Sequence, residues 1–123
     1  MTFIDGFVVP VPASNKSEFI EHARKIGGVF VELGALHVRE CWGADVPDGT
    51  LTDFKKAVQA KPDEAIAFGW IEWPDRGTRD AAMEKMQGLM KTDDRVKPET
   101  NPMPFDGKRM IFAGFESLLV SEK

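Results

Sequence analysis

Ala65-Ile66-Ala67-Phe68-Gly69-Trp70-Ile71-Glu72-Trp73 runs straight into Pro74-Asp75, and from Arg76 onward the apolar residues recur at helical spacing. The first run is rich in aromatic and β-branched residues and reads as a strand. Pro74 ends it, because proline has no N–H to give to a ladder. Asp75 is placed to cap the helix that follows. Ala82, Met83, Met86, Leu89 and Met90 then make one apolar stripe, and their spacing points to core packing rather than to an adaptable methionine surface.

The first half of the chain repeats this order. A strand from Phe3 to Val11 is closed by Pro10 and Pro12, and Asn15 with Glu18 resembles a capping box. Phe19, Ala23, Ile26, Gly27, Phe30 and Leu33 form the apolar stripe of a first long helix. Gly34 supplies its stop. A second strand, Ala35 to Trp42, leads into the turn-rich Gly43 to Gly49, after which Thr52 can cap a short helix through Val58. The last strand spans Lys108 to Val120 and is reached through Asp106-Gly107. Two strand-helix-strand units predict an α+β domain over residues 1–123: a four-stranded antiparallel sheet covered on one face by two helices. The connections over 43–64 and 92–107 exceed the usual ~4–6 residues. Functional loops and dimer arms are the two readings of them.

Composition narrows the function classes. The chain has 123 residues, 42% apolar and 29% charged, with a formal charge of -4, the profile of a globular domain able to bury one core. An acidic balance with dispersed basic residues argues against a nucleic-acid partner, which requires a clustered basic surface. The start, Met1-Thr2-Phe3-Ile4-Asp5, lacks a basic leader, and no run approaches the ~18 apolar residues of a membrane span, so a cytoplasmic location with no membrane partner is expected. A single cysteine, Cys41, excludes an internal disulfide and a multi-cysteine metal site.

Residue parity sorts each strand into two faces. One collects Phe3, Asp5, Phe7 and Val9 with Val38, Glu40 and Trp42, then Phe68, Trp70 and Glu72, then Met110 and Phe112. The other carries Ile4, Gly6, Val8, Ala67, Gly69, Ile71, Ile111 and Ala113. Small residues on the second face suit close helix approach, so the helix layer is expected there. The bulky first face would then exceed the few hundred Å² of apolar surface that a monomer tolerates, which predicts a homodimer formed through the sheet. Enclosure would raise the carboxyl pKa values of Asp5, Glu40 and Glu72 and make them candidates for acid-base catalysis. Trp42, Phe68 and Trp70 are candidates for the wall of a pocket for a small apolar or aromatic molecule. The competing reading keeps the carboxylates as structural partners of Arg39, Arg109 or Lys108, and the tryptophans as interface core.

Other constellations fail. Cys41 and His37 lie ~13 Å apart along one strand, too far for a nucleophile and its base, and Cys41 reads as a small buried hydrophobe. His22, among Glu18, Glu21 and Lys25, reads as a solvated position. No set of histidines suits a metal, and Asp75-Arg76-Gly77 lacks the spacing and lysine of a phosphate loop. No cofactor is implied.

Four stretches together point to a family. Asp5 to Pro12, Glu40 to Gly43 with Asp45 to Gly49, Phe68 to Glu72, and Met103 to Ile111 resemble the YbaA-like family of small bacterial proteins of unknown function, within the dimeric α+β barrel superfamily. The resemblance spans nearly the whole chain and is weakest over 92–102. It implies a ferredoxin-like protomer whose sheet packs on a partner's sheet. It brings no catalytic residues. Superfamily relatives include cofactor-free monooxygenases, haem-degrading enzymes, lactone isomerases and a hydrolase-like group using a His-Asp pair. This chain departs from the haem and His-Asp patterns, since no histidine stands near Asp5 on its strand or in a haem-ligand setting. The expectation is a small-molecule-binding homodimer, with cofactor-independent oxidation or isomerisation as its chemistry; a non-catalytic ligand-binding or structural dimer is the alternative.

Overall fold

A computed structural model describes residues 2–123. Its elements run β1 (Phe3–Pro12), α1 (Lys16–Glu32), β2 (His37–Trp42), α2 (Phe54–Ala57), β3 (Glu64–Trp73), α3 (Arg76–Thr92) and β4 (Ile111–Glu116). Short 3-10 turns precede α1 and β4. The strands form one sheet in the order β2-β3-β1-β4, every neighbouring pair antiparallel. The two strand-helix-strand units therefore interleave, with β3 inserted between β1 and β2 of the first unit. This is the expected α+β, ferredoxin-like arrangement.

The registers decide which residues share a face, and they correct the parity assignment. Phe3 pairs with Trp73 and Asp5 with Ile71, so odd residues of β1 lie beside odd residues of β3. Val38 pairs with Ile71 and Glu40 with Gly69. Phe3, Asp5, Phe7, Val9, Val38, Glu40, Trp42, Ala67, Gly69, Ile71 and Trp73 thus share one side, and Phe3, Ile71 and Trp73 pack there on Phe30, Leu33 and Ala82 of the helices. The helix layer covers the face with the large residues, contrary to expectation. Small residues do matter there, within the sheet itself: a Cβ on Gly69 would stand 2.6 Å from the Arg39 carbonyl oxygen and 2.7 Å from the Phe7 ring. Gly69 makes room for Phe7 beside it.

The opposite face carries Ile4, Val8, His37, Arg39, Cys41, Phe68, Trp70, Glu72, Ile111 and Phe115; neither long helix covers it, and only Phe54 of the short α2 reaches it, at Phe68. Phe68 is 41%, Ile111 47% and Phe115 58% exposed. Cys41 is half-buried at the edge rather than in the core.

Local details follow sequence chemistry with some exchanges. Pro10 and Pro12 lie inside β1, paired with Ile66 and Glu64; they are tolerated because β4 pairs with β1 only as far as Val8, leaving an unpaired flank beyond it. Asn15 does not cap α1 through its side chain; its Nδ2 donates instead to the Pro104 carbonyl at 2.9 Å. Gly34 ends α1 with φ +117, a left-handed conformation suited to glycine. Asp53, not Thr52, caps α2 through Lys56 N–H at 2.6 Å, and Asp75 caps α3 through Thr78 N–H at 2.7 Å. The final strand begins at Ile111, later than expected, because Asp106 accepts from Lys108 N–H and starts a 3-10 turn.

Both long connections are packed. Val58 of the first is 1% exposed, and Phe54 meets Phe68 edge-on at 6.2 Å between centroids. The second folds back over α1: Phe105 contacts the rings of Phe19 and His22, and Val96 is buried against Val29 and Met86.

Candidate functional site

Sheet and helices do not close completely on one another. Between them lies a cavity of about 510 Å³, walled by side chains such as Phe7, Phe19, Phe30, Met83 and Phe105. Phe7 comes from the centre of β1, Phe19 and Phe30 from the apolar stripe of α1, Met83 from α3, and Phe105 from the connection over 92–107. That connection acts as one wall of the cavity. A second space of about 510 Å³ lies outside it, between α1 and the edge strand β2.

Asp5 and Glu40 both border the inner cavity, yet their surroundings differ. Asp5 is buried and fully engaged. Arg79 donates to it through Nε, at 3.1 and 3.2 Å, and through a terminal nitrogen at 2.8 Å. Trp73 Nε1 donates to its other flank at 2.9 Å. Arg79 also lies over the Phe3 ring at 5.0 Å, so the ion pair is packed into the sheet end. Charge-assisted bonds of this kind hold a geometry strongly.

Glu40 has no such partner. Burial pushes its carboxyl up to about 7, with no hydrogen bond or neighbouring charge opposing the shift. The residue as a whole is exposed at the edge of β2, so its carboxyl is desolvated only where it leans into the crevice between α1 and β2. Near neutral pH such a group both donates and accepts protons.

The remaining expected site residues separate. Trp42 stands on the helix side against Phe19, 5.9 Å between centroids, and borders the outer groove. Phe68 and Trp70 lie on the open face, 5.8 Å apart. Glu72 is there too, with Oε2 3.6 Å from His37 Nδ1, while Trp70 Nε1 donates to His37 Nε2 at 3.3 Å. Asp5, Glu40 and Trp42 are therefore divided by the sheet from Phe68, Trp70 and Glu72. Arg109, expected as a partner for those carboxylates, instead binds Glu64 through two nitrogens at 2.6 Å each.

Two sets of cavity groups, the His22–Asn101 pair and Arg79, escaped the sequence reading. His22 is buried at 8% exposure, not solvated. Asn101 Nδ2 donates to the Arg95 carbonyl at 2.7 Å, which leaves its Oδ1, 2.9 Å away, to accept from His22 Nδ1. Burial pushes the imidazole below its ordinary value, partly offset by that bond. The signal was present: His22 falls three residues after Phe19 and four before Ile26, on the apolar stripe itself. Arg79 is the second. Its place in the first turn of α3 was visible, but its height over Asp5 depends on the register of β1 with β3.

Among the described residues no helix is long and apolar enough to cross a membrane. The protein of unknown function family DUF1428 matches residues 2–107. The uncharacterized protein YbaA of Escherichia coli (strain K12) is 50% identical over 119 residues, covering 97% of this chain and 98% of that protein. YbaA of Shigella flexneri gives the same figures, 50% identity over 97% of this chain and 98% of its own. Among solved structures, a dimeric ferredoxin-like protein from an uncultured marine organism superposes with a TM-score of 0.57 at 13% identity, over 99% of this chain and 98% of that one. Its likeness supports the fold already described, and the sequence matches settle kinship: the chain belongs to the DUF1428 family of proteins of unknown function.

Proposed function

We propose that this protein binds a small, mainly apolar or aromatic molecule in the cavity between its sheet and its helices, with Glu40 as the group that exchanges a proton or hydrogen bond with it. The observation that carries this reading is a single unpaired carboxyl, held at about 7, bordering an apolar cavity of about 510 Å³. Pockets of this size with apolar walls and few polar groups are the usual form of small-molecule sites. Cofactor-independent isomerisation or oxygenation is the chemistry such a carboxyl serves. Asp5 is less suited, because Arg79 and Trp73 already occupy its oxygens.

Glu40 gives the first test. A carboxyl raised in the folded state gains protons there relative to the unfolded chain, so its contribution favours the fold at low pH and is lost as pH rises from the ordinary carboxylate value through about 7. Wild-type melting temperature is expected to fall across that window and Glu40→Gln, a mimic of the protonated group, to flatten the fall. Affinity for phenylbutanol, followed by calorimetry, is expected to decline in the same window for wild type alone. Identical pH profiles for the two proteins would remove Glu40 from the site.

The reading includes a homodimer. Phe68, Ile111 and Phe115 leave an apolar open face, and the structural neighbour at 13% identity is described as dimeric. Burial of that face against a second copy is the economical way to remove it from water. Sedimentation equilibrium at ten micromolar protein, a concentration taken as about that of ordinary handling, is expected to give twice the chain mass. A monomer there would overturn this part.

A further inference from the structure

The two spaces on either side of Glu40 are separated by very little. Phe19, Ala23 and Gly27 of α1 and Val38 and Glu40 of β2 border both of them. Gly27 keeps the wall between them thin, since a Cβ there would already touch the Val38 side chain at 3.8 Å, whereas a Cβ on Gly28, facing the outer groove, would meet nothing within 4 Å. Glycine inside a helix costs roughly 0.5–1 kcal/mol relative to alanine. Two in succession in the middle of α1 run against local preference, and the close approach of α1 to β2 at Gly27 with the open groove at Gly28 gives them a purpose.

The charges are distributed unequally between the two spaces. In the inner cavity the only guanidinium, Arg79, is taken by Asp5, and His22 is taken by Asn101. In the outer groove Arg24 is engaged by Glu21 at 3.4 Å. Lys16 is different. Its ammonium lies 5.5 Å above the Trp42 ring, and among the described residues no carboxylate lies within ion-pair distance of it. An ammonium on an aromatic face, at the mouth of an apolar groove, is a place for an anionic head.

We infer that the ligand is an amphipathic organic acid, its apolar or aromatic body in the inner cavity, its stem passing between α1 and β2 beside Glu40, and its carboxylate at Lys16 over Trp42. This rests on the cavity reading above and adds the ligand's class and orientation.

The probes are phenylbutyrate and its neutral counterpart phenylbutanol, measured by calorimetry at pH 6, where the acid is ionised and Glu40 still holds its proton. Wild type is expected to bind the acid roughly fivefold more tightly, the size of one solvent-exposed charge pair. Lys16→Gln is expected to remove that preference. So is Gly28→Leu, which fills the groove from a position with open space and so leaves folding intact. Equal binding of acid and alcohol by wild type, or a preference that survives either variant, would overturn the inference while leaving the cavity reading in place. Binding of neither probe would overturn both.

Discussion

Trp73→Ala is expected to lower the unfolding free energy by about 3–5 kcal/mol, the range for removing a large buried aromatic side chain. A protein of this size has only ~5–15 kcal/mol to lose. Trp73 is 0% exposed and closes the end of β3, with Phe30 edge-on to it at 6.0 Å and Phe3 across the ladder. Collapse into the void is hindered because its walls belong to different elements: Phe3 on β1, Ala35 before β2, Ile71 on β3 and Ala82 on α3. The indole also donates to Asp5. Trp73→Phe keeps most of the ring contact and loses that donor, so it is expected to cost about 1.5–3 kcal/mol, the scale of one hydrogen bond to a charged group. Urea unfolding followed by far-ultraviolet circular dichroism separates the two. A loss below about 1.5 kcal/mol for Trp73→Ala would mean that this end of the core relaxes freely.

The same tryptophan shows what could be read in the chain and what could not. Strand β3 and helix α3 were legible because Pro74 and Asp75 act locally: one lacks a ladder donor, the other caps Thr78 N–H. The duplicated order of elements then led to the sheet. The side to which Trp73 points was not legible. Alternation within a strand gives two sets of residues, but which set of β1 joins which set of β3 depends on the register Phe3 to Trp73. That register is fixed by packing between strands far apart in sequence. Reading bulky Phe3 and Phe7 as lying over bulky Phe68 and Trp70 joined the wrong sets and put the helices over the wrong face. The true pairing alternates size, with Gly69 beside Phe7.

The candidate site was legible to the same degree. Asp5 and Glu40 were found because carboxylates in apolar strands are unusual, and they do border one cavity. Their unlike environments were hidden, since Arg79 reaches Asp5 from α3 and nothing reaches Glu40. Glu72 was grouped with them by parity and lies beyond the sheet, beside His37. Asn101 escaped notice because it sits in the irregular connection over 92–107, where no periodicity marks which side chain turns inward.

Asp5→Ala is expected to cost about 2–4 kcal/mol, because it leaves Arg79 in a setting shaped for a carboxylate. The two side chains are 12% and 23% exposed, so the interaction is screened less than at the surface, and removing one member of a largely buried pair leaves the other unpaired. Arg79→Ala is expected to cost less, since Asp5 retains the Trp73 donor at 2.9 Å. The double variant Asp5→Ala with Arg79→Ala should then be more stable than the sum of the two losses, by a coupling of about 1–3 kcal/mol. Chemical denaturation of all four proteins closes this cycle. Additive losses would show that Asp5 is held in place by packing and the Trp73 bond alone. Its carboxylate would then be free to act on a ligand in the cavity, and the division of labour drawn between Asp5 and Glu40 would fail. A clear coupling fixes Asp5 as the anchor that joins β1 to α3 and holds one wall of the cavity, leaving Glu40 as the unpaired carboxyl at its border.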